Sequence, residues 1–473
     1  MRETKDLKRF NIYILLLLSA AILYWPALKI SFSLDDLRFL LRASGVEDFP
    51  DSIKRILSIR LFFQAGWKLF RTSSGYYHLV VVILHLINAG LIQRISKRLG
   101  LDDRVATYGA LLFLVTPVAF LPMHWISGIQ DVSMTFFVLL TVHLYMAKGT
   151  ISAAGTLLAA TLSLLCKEAS LLMLPGLAIC IPTSKRRRLV LGLSGSIIGI
   201  LFLVLSGSFN LRPAGDPYES AFGVNIIWNL LTYSAWLIRF WDYFPDKIPQ
   251  YQPSLAIWGL ILPTILSIIV WRFRQTRVPL LKAVILFLLL LGPVLPLIRH
   301  SYFYYLYLPL VPFWILIGIL LDRISNRKIA YAVLAVFFIY SSITGTIHRR
   351  AEIQKGVLKD PILRHAAILK HTVNELRDAG EIRGGDYLFV KNFEGTSVDL
   401  TKGLDGRTGT IKKKVHFFEQ ALLGGKALRL FHPEIKSVHF EDQSGPVTGW
   451  EHMHFFGTYG VAEIIYLGYG KEG

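Results

Sequence analysis

Two adjacent carboxylates, Asp35 and Asp36, stand just past the first long apolar run, in ISFSLDDLRFLLRASG (30–45). Neighbouring carboxylates can bind a divalent cation such as Mg or Mn through hard oxygen ligands. One of them can instead take a proton as a general base. Asp is also favoured at helix starts, so a solvated turn with an N-cap accounts for the pair as well. Three further segments set ionisable groups beside apolar runs. HWISGIQD (124–131) carries His124 and Asp131, and CKEAS (166–170) sets Lys167 and Glu168 between two apolar stretches with almost no loop. IRHSYFYYLYLP (298–309) sets Arg299 and His300 ahead of Tyr302 and Tyr305. Charges at membrane depth are costly and usually face a partner or a water-filled cavity. The plainer readings are a local ion pair, snorkelling and an aromatic interface belt. Arg38 opens a series of cations with Arg42, Lys54, Arg55, Arg60, Lys68 and Arg71. Such a series attracts phosphate, either on lipid headgroups or on a phosphorylated substrate.

The elements that must position these residues are membrane helices. Of 473 residues, 53% are hydrophobic and 18% charged, against roughly 25% charged in soluble domains. The apolar residues fall in blocks of about 17–22, enough to cross a hydrocarbon core of roughly 30 Å as helices. The period-two alternation of a membrane barrel is absent. The blocks predict eleven spans, near 10–29, 76–96, 105–122, 129–147, 150–166, 169–183, 189–207, 254–271, 279–298, 304–321 and 329–347. The net charge of +19 sits largely in short loops between them, which is positive-inside patterning and not a nucleic-acid surface. Cys166 and Cys180, the two cysteines, lie in or beside apolar runs, which argues against a disulfide framework and a metal site. The block after the basic N-terminus is too long for a signal peptide's apolar region and reads as a retained span.

Loop charge sets the expected sidedness. The N-terminus and the loops after even-numbered spans are basic, which places them in the cytoplasm. The carboxylate pair and the other ionisable segments then share the outer face with two long loops, 30–75 and 208–253. Within the second loop, NIIWNLLTYSAWLIRFWDYF (225–244) suits a helix lying at the interface, or else a twelfth span. From about residue 350 the long apolar runs stop. Helical periodicity over 357–380 and 411–425, with strand-like alternation at 386–392 and 437–442, predicts a small α/β domain. The expected organisation is an all-α polytopic membrane domain at 1–349 and an extracytoplasmic α/β domain at 350–473.

The order and spacing of four segments resemble the GT-C superfamily of membrane glycosyltransferases, whose hallmark is an acidic pair in the first external loop. The segments are SLDDLRF (33–39), TPVAFLPMHWISGIQD (116–131), LLCKEASLLMLP (164–175) and RHSYFYYLYLP (299–309). They are most similar to the O-mannosyltransferases that carry tetratricopeptide repeats and to their bacterial relatives. This chain differs in having Thr116 and Phe120 where those proteins have His and a carboxylate, and in having no repeats.

The resemblance implies a polyprenyl-phosphate-linked sugar donor, inverting transfer and often a divalent metal. Asp35 or Asp36 would be the base, and Asp36 with Glu168 would hold the metal. Arg38, His124, Asp131, Lys167, Arg299, His300, Tyr302 and Tyr305 would line the donor site. The acceptor would be a lipid, polysaccharide or protein of a bacterial envelope, reached from the inner membrane. The alternative reading is a transporter or flippase of a polyprenyl-linked glycan, since that too needs charges in a cavity.

Overall fold

The computed structural model describes residues 2–207, 218–238, 253–272, 277–298, 300–324, 326–354, 361–378, 387–390, 394–402, 408–433, 435, 437–440, 450–456 and 465–470. Each predicted apolar block falls on a helix. α1 (Arg2–Tyr24) runs on as a 3-10 turn to Lys29, and the chain then bends by 72° into α2 (Leu34–Ala43). So α2 lies across the end of the first span. α3 (Phe62–Phe70) closes the first long loop and leads into α4 (Ser74–Arg98). α5 (Asp103–Val115) breaks by 45° at Pro117 before α6 (Phe120–His124). α7 (Ile129–Tyr145), α8 (Thr150–Cys166), α9 (Met173–Cys180) and α10 (Lys185–Leu205) follow.

Next come α11 (Val224–Trp236), α12 (Pro253–Arg272), α13 (Arg277–Leu291), α14 (Leu310–Asp322) and α15 (Arg327–Gln354). Among the described residues, five helices are long and apolar enough to cross a bilayer, or seven if each bent pair counts as one span. Thr150–Cys166, Glu168–Cys180, Leu255–Ile269 and Leu310–Asp322 are shorter apolar helices on other predicted spans. The chain is thus an integral membrane protein, with five to seven spans by length and composition among the described residues, and four shorter apolar helices on other predicted blocks. α11 has 13 residues, about 20 Å at 1.5 Å per residue, too short to span. It packs closely on α12, where a Cβ at Gly259 would fall 2.3 Å from the Leu231 carbonyl oxygen. The rest of the expected interfacial segment, with Arg239 and Asp242, lies outside the described residues.

α7 is the central helix, with 78% of its span buried against 22% for α10, α13 and α15. Those outer helices turn Leu193, Ile197, Leu281 and Val336 outward, as a lipid-facing surface requires. One face of α4 is polar instead, and the break in α5 explains it. The helix ends at Val115 and the chain turns away at Thr116, so the Leu114 carbonyl loses the donor that Val118 N–H would have supplied in a continuous helix. Tyr24 Oη donates to that carbonyl at 2.5 Å, and His85 Nε2 lies 3.1 Å from it. A nitrogen facing a carbonyl must carry the proton, so His85 Nδ1, 2.7 Å from Tyr307 Oη, accepts. His78 Nδ1 meets the Met123 carbonyl and Asn88 donates to the Val132 carbonyl, at 2.9 and 3.0 Å.

The C-terminal segment begins with α16 (Pro361–Asp378), as the periodicity predicts. It continues with β1 (Tyr387–Val390), β2 (Glu394–Lys402), β3 (Thr408–His416), α17 (Phe417–Ala421), β4 (Ser437–Phe440), β5 (Trp450–Phe456) and β6 (Ile465–Gly470). Four strands form a mixed sheet in the order β4-β1-β6-β5, and β2 pairs antiparallel with β3. The helix expected over 411–425 is therefore corrected. Its first part is a strand, where Thr408, Thr410, Ile411 and Val415 favour extended backbone and β2 supplies the ladder. Only Phe417–Ala421 is helical.

This segment docks on the first loop. Leu369, Val373, Leu422 and Leu428 join the same core as Leu37, Leu40 and Leu41 of α2. Phe431 meets Phe32 at 6.4 Å between ring centres, and Lys426 pairs with Glu47 at 2.8 Å.

His85→Ala should strip the Leu114 carbonyl of one donor and leave the Tyr307 hydroxyl without its acceptor. The expected loss is roughly 1–3 kcal/mol. It would be read as a lower melting temperature of the purified protein in detergent, and an unchanged melting curve would contradict the capping role.

Candidate functional site

The acidic pair divides at the first turn of α2. Asp36 is the third helical residue after the N-cap Ser33, and the two form a capping box. Asp36 Oδ2 accepts from Ser33 N at 3.0 Å and from Ser33 Oγ at 3.2 Å. Its Oδ1 accepts from Ser127 N and Ser127 Oγ at 2.7 and 2.5 Å. The residue is 1% exposed. Burial pushes its carboxyl up to about 6, against the pull of the Ser127 and Ser33 donors. At neutral pH it is ionised, the form that suits four donors.

Ser127 sits in the 3-10 turn Ile126–Gly128. That turn presses on the preceding helix so closely that a Cβ at Gly128 would fall 2.5 Å from Pro122 Cα. Glycine is required there by contact. Asp35 points the other way. Its side chain is 41% exposed, and Arg38 lies 3.9 Å from it.

On a helix, residues 35, 39 and 42 share one face. Phe39 and Arg42 line a cavity of about 550 Å³, so Asp35 stands at the same side of α2 as that cavity. Arg42, Lys54, Arg55, Arg60 and Lys167 supply five cations to its wall, and Glu168 is the single carboxylate among its lining residues. Tyr218 and Tyr305 are part of the wall too. Arg55 pairs with Glu168, Nη2 to Oε1 at 2.8 Å and Nε to Oε2 at 3.4 Å. It is also close enough to Asp35 to favour that group's ionised form. Lys167 Nζ lies 2.7 Å from both oxygens of Asp131, in a pair that is nearly fully buried. It also lies over the rings of Tyr304 and Tyr305, at 4.8 and 4.7 Å from their centres.

The structure thus brings Lys167, Glu168 and Tyr305 together on one cavity wall, with Asp131 paired to Lys167. Asp35 is not among the lining residues; it lies on the helix face that carries Phe39 and Arg42, within the field of Arg55, and Arg38 stands 3.9 Å from it. His300 meets Tyr218 at a tilt and Tyr302 edge-on, with ring centres 4.2 and 4.5 Å apart. Tyr302 itself is not among the cavity's lining residues. His124 differs from expectation. It is buried, its Nδ1 2.6 Å from the Phe120 carbonyl, and it does not line the cavity. As the last residue of α6 its ring turns back onto its own helix. Arg299 lies outside the described residues.

A metal held by Asp36 and Glu168 does not fit this arrangement. Both Asp36 oxygens are taken by protein donors, and both Glu168 oxygens face Arg55. Among the described residues no group of three or more His, Cys, Asp or Glu could hold a metal ion.

Sequence reasoning missed Arg42, Arg55 and Ser127 as site residues. Arg42 and Arg55 were visible only as members of the cationic series. Ser127 gave no signal beyond its place between His124 and Asp131.

No protein-family model matches the chain, and no curated protein does. Two solved structures are similar. One is the crystal structure of ArnT from Cupriavidus metallidurans bound to undecaprenyl phosphate, with a TM-score of 0.45 and 14% identity over 89% of this chain and 77% of that one. The other is the apo oligosaccharyltransferase of Archaeoglobus fulgidus, with a TM-score of 0.45 and 10% identity over 71% of this chain and 56% of that one. Neither likeness is strong enough to fix a family, and the reading of the site rests on the geometry above.

The two aspartates should separate in a stability measurement. Asp36→Asn removes charge-assisted bonds and turns an amide towards two sets of donors, for an expected loss of roughly 1.5–3 kcal/mol. Asp35→Asn should stay within about 0.5 kcal/mol of the parent protein. Thermal denaturation in detergent distinguishes them, and equal losses would contradict the division of roles.

Proposed function

We propose that this chain is an inverting membrane glycosyltransferase of the GT-C type that moves a sugar from a polyprenyl-phosphate donor to a hydroxyl acceptor. The observation that carries the reading is the position of Asp35. It is a half-exposed carboxylate on the same helix face as the residues that open a strongly basic cavity at the end of the spans.

A lipid phosphate diester is anionic, and a wall of arginines and lysines suits it. The acceptor hydroxyl would lose its proton to Asp35 as its oxygen bonds to the anomeric carbon. The bond from that carbon to the phosphate oxygen breaks, and the polyprenyl phosphate leaves with the electron pair towards Arg42 and Arg55. One displacement inverts the anomeric centre. Positioning and electrostatic stabilisation do most of the work, with no covalent intermediate on the protein. Desolvation lifts the Asp35 carboxyl above its ordinary range, opposed by Arg38 and Arg55. That direction suits a base that works near neutral pH.

The loop charges support a cytoplasmic N-terminus and an outward-facing cavity. The C-terminal α/β segment docks on the same loop as the cavity, so it belongs on that outer face as well. The four shorter apolar helices would complete eleven spans. A bacterial inner membrane and an envelope acceptor, whether lipid, polysaccharide or protein, fit this sidedness, and a mannose-type hexose is the donor sugar suggested by the sequence segments.

The test compares envelope glycans by mass between cells expressing the parent protein and the Asp35→Asn variant, with transfer from a polyprenyl-phosphate sugar assayed in their membranes. Loss of a general base should cut the rate roughly 10²–10⁴-fold. A near-normal rate removes the mechanism, and flux of lipid-linked glycan without a new glycosidic bond favours transport. kcat/KM should rise with pH through an acid limb lying above about pH 4, the ordinary carboxylate value. A limb at or below that value contradicts Asp35 as the base.

A further inference from the structure

Arg55 is held in an unusual way for a residue on a cavity wall. Its backbone is left-handed, with φ 56° and ψ 24°. That conformation is unfavourable for a side-chain-bearing residue and persists where surrounding contacts enforce it. The guanidinium fork is closed on Glu168, which is the one carboxylate among the lining residues. Arg42, across the same cavity, is different. Its Nε is buried and has no hydrogen-bond partner among the described residues. One arginine is therefore open to an anion, and the other is already occupied by an anion that belongs to the protein.

The geometry points to Glu168 as a built-in competitor for the phosphate. Resting on the reading of the cavity as a phosphate site, Arg55 passes from Glu168 to the lipid phosphate when it arrives, while Arg42 receives the phosphate directly. Glu168 reclaims Arg55 when the spent carrier leaves. The chemistry of the two lipids gives this exchange a purpose. The donor is a phosphodiester with a charge near −1. The product is a phosphomonoester, which carries about −1.5 to −2 at neutral pH. A purely cationic wall would hold the product more tightly than the donor and stall turnover. A carboxylate fixed in that wall repels the more highly charged species more, so it selects against product and speeds its release.

The experiment measures binding of two probes to the purified full chain in detergent, a short-chain isoprenyl monophosphate and the matching isoprenyl phosphodiester. Glu168→Gln should bind the monophosphate roughly tenfold more tightly and the diester less than threefold more tightly. Glu168→Asp, too short to close on both Arg55 nitrogens, should fall between. Arg55→Gln should weaken the monophosphate roughly tenfold, and adding Glu168→Gln to it should tighten binding by less than the roughly tenfold seen in the parent background, because only the repulsion and no longer the competition for Arg55 is removed. If the parent protein binds both probes but Glu168→Gln and Glu168→Asp bind the monophosphate no more tightly, the competitor role is overturned while the phosphate site stands. If the parent protein binds neither probe, the phosphate reading fails and this inference with it.

Discussion

The carboxylate of Asp36 ties the start of α2 to the turn that carries Ser127, and the orientation of the outer helix follows from that tie. Two of its hydrogen bonds come from its own N-cap and two from a turn 91 residues further along the chain. A helix of ten residues lying across the end of a span is held in rotation by its buried Leu37, Leu40 and Leu41 and by this anion together. A buried anion that needs all four donors has one satisfactory orientation. Once Asp36 faces inward, Phe39 and Arg42 face the cavity, and Asp35 lies on their side of the helix. The C-terminal segment completes the arrangement by packing Leu369 and Leu428 into the core that holds α2. It therefore contributes to the site by position, and none of its described residues lines the cavity.

The same economy governs the other charges. Lys167 and Asp131 satisfy each other deep in the bundle, and Arg55 and Glu168 do so nearer the surface. Removing one member of a buried pair typically costs 3–5 kcal/mol, because the partner's charge is left without compensation. The inner pair packs against two tyrosine rings, with Lys167 reaching the cavity wall while its ammonium stays on Asp131, so it serves to place Tyr305 and the start of that wall. The outer pair opens on the cavity, where an incoming anion can exchange with Glu168. Two ion pairs of similar composition thus have different chemical prospects, decided by depth alone.

The breaks in the helices belong to this design. A bend at Lys29 throws α2 across the membrane boundary, and a break at Pro117 frees a carbonyl that Tyr24 and His85 then cap. His85 on α4 is therefore the counterpart of the break after α5, and the Tyr-rich stretch ending at Tyr307 is drawn into the same network. In an apolar medium a freed backbone group must find an internal partner, so a broken helix demands a polar neighbour. The breaks in turn give the loops between spans the sharp turns that gather charges from distant parts of the chain.

The sequence by itself determined the membrane helices, because hydrocarbon thickness imposes a length and polarity that composition records directly. It also marked the acidic pair, the Lys-Glu couple and the Tyr-rich stretch, since charges beside apolar runs are conspicuous. It showed α16 through its periodicity but took Ile411–His416, most of β3, for helix, because strand pairing depends on a partner, β2, that a local pattern does not contain. Only the tertiary structure decided which aspartate is free. Asp35 and Asp36 are alike in type and adjacent in the chain, and they differ only in that Ser127, far away in sequence, arrives beside one of them. The same holds for Arg42 and Arg55, two members of a long cationic series until the fold gives Glu168 to one and leaves the other open. A contact between distant segments depends on how helices rotate and bend, and no spacing within a single segment encodes it.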